Sequence, residues 1–159
     1  MNERSYQLVP DKQTWGEGPW LEEPDKVVWV DDASDLDCMI VRNHHGALCG
    51  YVGLPEGHPL HGQGYDESDV DVHGGLTFAG PCMEGAREDE QHICHDPQGR
   101  PDNVWWLGFD CGHAFDLMPA LRVRHRDLGF DDVGLDESYR DLAYVKDEVT
   151  RLAEQLASA

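Results

Sequence analysis

Basic residues are scarce in this chain. Twelve Lys and Arg face 32 Asp and Glu, only Lys12, Lys26 and Lys146 are lysines, and the formal net charge is −20. Such a surface repels nucleic-acid phosphates and anionic bilayers, which argues against nonspecific nucleic-acid binding and against a membrane partner. Long apolar runs are missing too, since none approaches the roughly 18 residues of a membrane span. The opening Met1-Asn2-Glu3-Arg4-Ser5-Tyr6 lacks the basic-then-apolar pattern of a signal peptide. The five cysteines (Cys38, Cys49, Cys82, Cys94 and Cys111) include no CxxC pair. Free buried thiols, or one or two metal ligands, are therefore expected in place of a disulfide framework. Together these readings predict a cytoplasmic protein. GxxxxGK[ST], GxGxxG, HExxH, GxSxG and EF-hand patterns are also absent, which removes P-loop hydrolysis, Rossmann redox chemistry and ordinary serine hydrolysis as default readings.

What is present suits one packed domain. The chain has 159 residues, is 40% hydrophobic, and carries five Trp, five Tyr and four Phe, enough for a core without staples. Its acidity has three readings: solubility, attraction of divalent cations, or mimicry of nucleic-acid charge. Residues 1–26, with Pro10, Pro19 and Pro24, read as an irregular lead-in. Val27–Val30 reads as a strand. Asp37–Arg42 and Ala47–Leu54 read as a hairpin around Asn43-His44-His45-Gly46, because Asn and Gly tolerate positive φ. Pro55 to Ser68 is a long loop. Val70–Phe78 reads as a strand broken by Gly74-Gly75, and Ala79 to Asn103 as a second excursion. Val104–Phe109 is the most apolar strand, Cys111 to Leu121 a short helix, and Val123–Gly134 a charged connector. Asp136 is the expected N-cap of a C-terminal helix over 136–158. Its stripe of Leu142, Val145, Val149, Leu152 and Leu156 should pack on the sheet or form a dimer seam. The expected fold is α+β: a small antiparallel or mixed sheet with long irregular loops and a C-terminal amphipathic helix packed on it.

Two segments carry the candidate chemistry. In Asp71-Val72-His73-Gly74-Gly75-Leu76-Thr77, strand alternation puts Asp71, His73 and Gly75 on one face, which suits a metal pair or a carboxylate orienting an imidazole. Gly74-Gly75 would let a ligand approach the backbone, and Thr77 is a further candidate ligand-binding residue. In the second segment, an apolar strand containing Trp105 and Trp106 ends at Asp110. Gly112 then permits a sharp turn, and Asp110, His113 and Asp116 follow at spacings of three, on one face if the turn is helical. Trp106 or Trp105 is expected to line a pocket. Hard oxygen ligands with imidazole suit a divalent ion such as Zn, Mn or Mg, held by His73, Asp110 and His113. Cys111 offers an alternative as a zinc thiolate or as a nucleophile with His113 as base. His58, His61, His92, Cys94 and His95 offer a lid or further ligands, and Cys82, Cys94, His95 and Cys111 a closed structural zinc site.

The strings CGYVGLPEGHPLHG, VDVHGGLTF, PDNVWWLGFDCGHAFD and YRDLAYVKDEVTRLAEQL resemble a family of small uncharacterised proteins common in bacteriophages and actinobacteria, over roughly residues 38–158. The resemblance points at His73, Gly74, Gly75, Asp110, Cys111, His113 and Asp116, and implies a role such as nucleotide metabolism or neutralising a host defence. The leading expectation is a small metal-dependent hydrolase acting on a phosphoester, nucleotide or related molecule. Its ion would generate hydroxide, and Asp71 or Asp116 would orient a ligand or act as general base. The alternatives are a noncatalytic acidic inhibitor that uses Glu84–Glu90 to occupy a basic host protein, and a small-nucleotide-binding protein. A homodimer is compatible with any of them.

Overall fold

The computed structural model describes residues 2–129 and 137–159. Its strands are β1 (Arg4–Tyr6), β2 (Lys26–Val30), β3 (Asp37–Arg42), β4 (Leu48–Leu54), β5 (Phe78–Pro81) and β6 (Trp105–Asp110); its helices are α1 (Pro119–Asp127) and α2 (Leu142–Ala157). The strands form one sheet in the order β1-β2-β3-β4-β6-β5, with every pairing antiparallel. With α2 packed on it, the sheet is the small α+β arrangement that the sequence predicts.

The β3–β4 hairpin forms where Asn and Gly foretell it. Asn43 Oδ1 accepts from His45 N and Ala47 N at 2.9 and 3.1 Å, and Gly46 adopts φ +89°, so the side chain stands in for the missing turn bonds. Alternation then sorts the strands into two faces. Ile40, Leu48, Val52, Leu107 and Phe109 meet Val145, Val149, Leu152 and Leu156 of α2. The opposite face carries Val28, Met39, Val41, Cys49, Tyr51 and Trp106, with Phe78 and Ile93 packed against them. Gly50 brings α2 close, because a Cβ there would lie 2.5 Å from Phe109 and 2.6 Å from Val149. Val145, Val149, Leu152 and Leu156 of the α2 stripe are fully buried, and Leu142 packs partly buried beside them.

Several elements differ from the sequence reading. The lead-in contains β1 and two 3-10 turns, Lys12–Trp15 and Pro19–Leu21. It is anchored by a buried charge network: Arg42 Nε donates to Asp25 at 2.7 Å, Lys12 lies 2.9 Å from the same carboxylate, and Arg42 also donates to Tyr139 Oη at 2.8 Å. Residues 70–77 are not a strand. A turn there, with Gly75 N bonded to Val72 O, replaces the ladder, and β5 begins only at Phe78. Residues 111–118 form no helix; α1 starts at Pro119, whose missing N–H suits a first helical position, and runs into the expected connector. Asp136 and 130–135 lie outside the described residues. Helix α2 starts at Leu142, capped by Asp141, which accepts from Tyr144 N at 2.9 Å.

Cys82 and Cys94 form a disulfide, while Cys38, Cys49 and Cys111 are free and buried. The expectation of five unpaired cysteines is corrected, and with it the cysteine argument for a cytoplasmic location. Among the described residues no helix is long and apolar enough to cross a membrane.

Candidate functional site

The two segments singled out in the sequence do meet, through loops. Loop 71–77 lies alongside the turn that follows β6, and α2 flanks both. His113 fits beside Gly74, where a Cβ would lie 2.2 Å from the imidazole and where φ is +68°. Only glycine fills that position without moving the histidine.

The buried node of this junction is Asp116, 1% exposed. Its carboxylate accepts from His73 Nε2 at 2.8 Å, from Arg140 Nε at 2.9 Å and from the His113 backbone N at 3.1 Å. Burial alone would raise this carboxyl, but those donors hold it below its ordinary range. An ionised Asp116 fixes the proton of His73 on Nε2, so Nδ1 accepts from Tyr144 Oη at 2.7 Å. Burial and the Glu148 carboxylate push the Tyr144 phenol up, which keeps it a donor. Both ring nitrogens of His73 are thereby engaged. His73 and Asp116 act as a tie between loop and turn, the usual fate of a satisfied buried pair.

Asp110 has a different environment. Its side chain is 33% exposed. Thr77 Oγ1 donates to it at 3.0 Å and Gly112 N at 2.9 Å. His113 Nε2 stands 3.3 Å away, outside hydrogen-bond geometry, as an ion-pair contact when the ring is protonated. Asp110, Thr77 and Gly112 line a cavity of about 500 Å³ together with His45, Tyr51 and Met118. A carboxylate at the end of an interior strand, facing a cavity and flanked by an imidazole, suits ligand recognition and proton transfer.

The remaining predicted site residues are scattered. Asp71 is 88% exposed beside Arg151, not on a face with His73. Trp106 is wholly buried against His95, with ring centroids 5.0 Å apart, and Trp105 bonds Gln63 O at 2.8 Å. Burial pushes the Cys111 thiol well up, which disfavours a nucleophile. Among the described residues no three His, Cys, Asp or Glu side chains converge as a metal-ligand set. With both His73 nitrogens committed elsewhere, His73, Asp110 and His113 do not fit a shared ion as they stand. The acidic loop Glu84–Glu90 is partly compensated, since Glu88 pairs with Arg4 and Asp89 with Arg87.

Arg140, Tyr144 and Glu148 were missed. Glu148 Oε1 accepts from His73 N at 2.8 Å, and Gln155 exchanges bonds of 2.7 and 2.8 Å with the Asp71 backbone. The signal was present: Tyr144, Glu148, Arg151 and Gln155 recur at spacings of four, three and four, a polar stripe beside the apolar one. No protein-family model, curated protein or solved structure matches the chain, so function is argued from the site.

Proposed function

We propose that the protein binds a small uncharged or cationic molecule in the cavity beside Asp110, and that Asp110 acts on it as a general base with His113 setting its charge environment. The observation that supports this reading is the placement of Asp110: partly exposed, oriented by Thr77 and the Gly112 N–H, and lining a 500 Å³ cavity. A net charge of −20 favours cations and neutral molecules over phosphoesters, which would need a cation that the cavity walls do not supply. The reading therefore keeps a small-molecule hydrolase and leaves out a resident ion.

Thermal-shift screening of wild type and Asp110→Asn against uncharged, cationic and phosphorylated compounds tests it. Stabilisation by neutral or cationic compounds that is lost in Asp110→Asn is expected. Stabilisation by phosphorylated compounds alone, together with one bound ion per chain that disappears in His113→Ala, would restore the metal-dependent phosphoester hydrolase instead.

A further inference from the structure

A second cavity, of about 530 Å³, opens on the same face of the sheet and shares Asn43, Cys49 and Tyr51 with the first. Tyr51 belongs to the core, its ring edge-on to Phe78 at 5.7 Å between centroids. The far wall is the indole of Trp15, half-buried and backed by Arg42, whose Cζ lies 5.9 Å from the ring centroid. Val41, Met83 and Ile93 supply aliphatic surface. A cavity bounded by aromatic rings and aliphatic side chains takes a flat apolar body.

Two fixed acceptors stand on this surface. Gln91, another lining residue, donates its amide N–H to Arg42 O at 2.6 Å, which fixes the amide and leaves Oε1 as its acceptor. Asp110, in the adjoining cavity, is an acceptor only. Arg42 lines the second cavity, but its guanidinium is committed to Asp25, Glu23, Gly46 O and Tyr139. Among the described residues no lysine lines either cavity. Of the lining histidines, His44, His45 and His92, the ring of His45 is driven toward neutrality by burial and by its neighbours His44, Arg124 and His125.

The wall is also held in place. Met83, Gln91, His92 and Ile93 lie within the loop closed by the Cys82–Cys94 disulfide. Lys26, wholly buried, donates to the carbonyls of Glu90, His92 and Cys94 at 3.0, 2.7 and 2.8 Å. A wall tied in this way presents a preformed site and spares a ligand the entropy of ordering it.

We infer that this second cavity seats the base of an unphosphorylated, amino-substituted nucleoside, whose sugar hydroxyls reach across Tyr51 to Asp110. The flat body matches Trp15 and Tyr51, the exocyclic amine matches Gln91 Oε1, and the hydroxyls match the Asp110 carboxylate. Among the described lining residues no Lys or Arg is uncommitted, which disfavours a phosphate-led mode. This inference rests on the proposed role of Asp110 for the sugar end and is independent of it for the base.

Calorimetric titration of adenosine, guanosine and cytidine, their free bases and their 5′-monophosphates tests it, on wild type, Trp15→Ala, Gln91→Leu and Asp110→Asn. At least one nucleoside is expected to bind more tightly than its monophosphate. Trp15→Ala should weaken nucleoside and free base alike by about fivefold to 150-fold, the range that loss of one base–aromatic stack carries. Gln91→Leu supplies the same test should Trp15→Ala fail to fold. No nucleoside binding at millimolar concentration, tighter binding of monophosphates, or binding indifferent to both cavity variants would overturn the inference. Free-base binding that needs Trp15, with nucleoside binding indifferent to Asp110→Asn, leaves the base site standing and removes both the sugar contact and the proposed role of Asp110. The converse pattern removes the inference alone.

Discussion

Asp110 and Asp116 stand six positions apart in one short turn and face opposite demands. Asp116 is sealed against His73 and Arg140, whereas Asp110 is a third exposed with a cavity before it. Breaking a buried ion pair strands the partner charge and costs about 3–5 kcal/mol, while losing a partly exposed carboxylate costs far less. Asp116→Ala should therefore lower the urea midpoint steeply. Asp110→Asn should leave it nearly unchanged while abolishing ligand-induced stabilisation. Equal destabilisation by the two variants would show that Asp110 is structural as well. The sequence marked both carboxylates and His73 without separating them, because spacing places residues on a turn but does not say which are sealed. That division depends on Arg140 and Tyr144, which arrive from the far end of the chain.

At the scale of elements, legibility followed local chemistry. The β3–β4 hairpin was readable because Asn43 and Gly46 make their own turn, and α2 because five apolar residues keep one stripe. Loop 71–77 was misread because Val70, Val72 and Leu76 imitate strand alternation, while the backbone N–H groups of Asp71 and His73 bond Gln155 and Glu148 on a helix. The Cys82–Cys94 bond escaped because the two cysteines are twelve residues apart and an odd total argued against pairing. Closing a loop of that size contributes about 2–3 kcal/mol in the chain-entropy account. Cys82→Ser with Cys94→Ser should lose about that much in urea unfolding, and hydrogen exchange should quicken between the two positions; unchanged exchange would mean that hydrogen bonds such as those of Lys26 hold the loop without the disulfide.

The same loop is clamped to β1 by Glu88, which accepts from Arg4 Nη2 at 2.6 Å, from Tyr6 Oη and from Asp96 N at 2.7 Å. Burial raises the Glu88 carboxyl, but these donors outweigh it and bring the pKa from 4.5 down to about 2. A depressed carboxyl contributes stability that is fully present above its ordinary pKa and is lost as pH falls through its folded value. Wild type should lose stability progressively from about pH 4.5 toward pH 2, with a shallower slope in Glu88→Gln. Identical slopes would place the acid sensitivity elsewhere.

On the scale of the whole molecule, the surface charge acts against the fold it encloses. A net −20 spread over 8335 Å² leaves about 400 Å² per net charge, a mean spacing near 20 Å; the screening length is about 30 Å at 0.01 M salt and about 10 Å at 0.1 M. Repulsion among these charges is therefore strong at the lower salt and largely screened at the higher. The pairs that favour folding respond differently: Arg42–Asp25 is fully buried, and in Arg140–Asp116 the carboxylate is sealed, so salt reaches them poorly. Screening should remove more repulsion than attraction, and the urea midpoint should rise with sodium chloride, mostly between about 0.01 and 0.1 M. A midpoint that falls over this range would mean that local ion pairs outweigh the net charge. The same screening should weaken a cationic ligand at Asp110 and leave a neutral nucleoside unaffected. The salt dependence of binding thus reports the charge of the ligand before its structure is known.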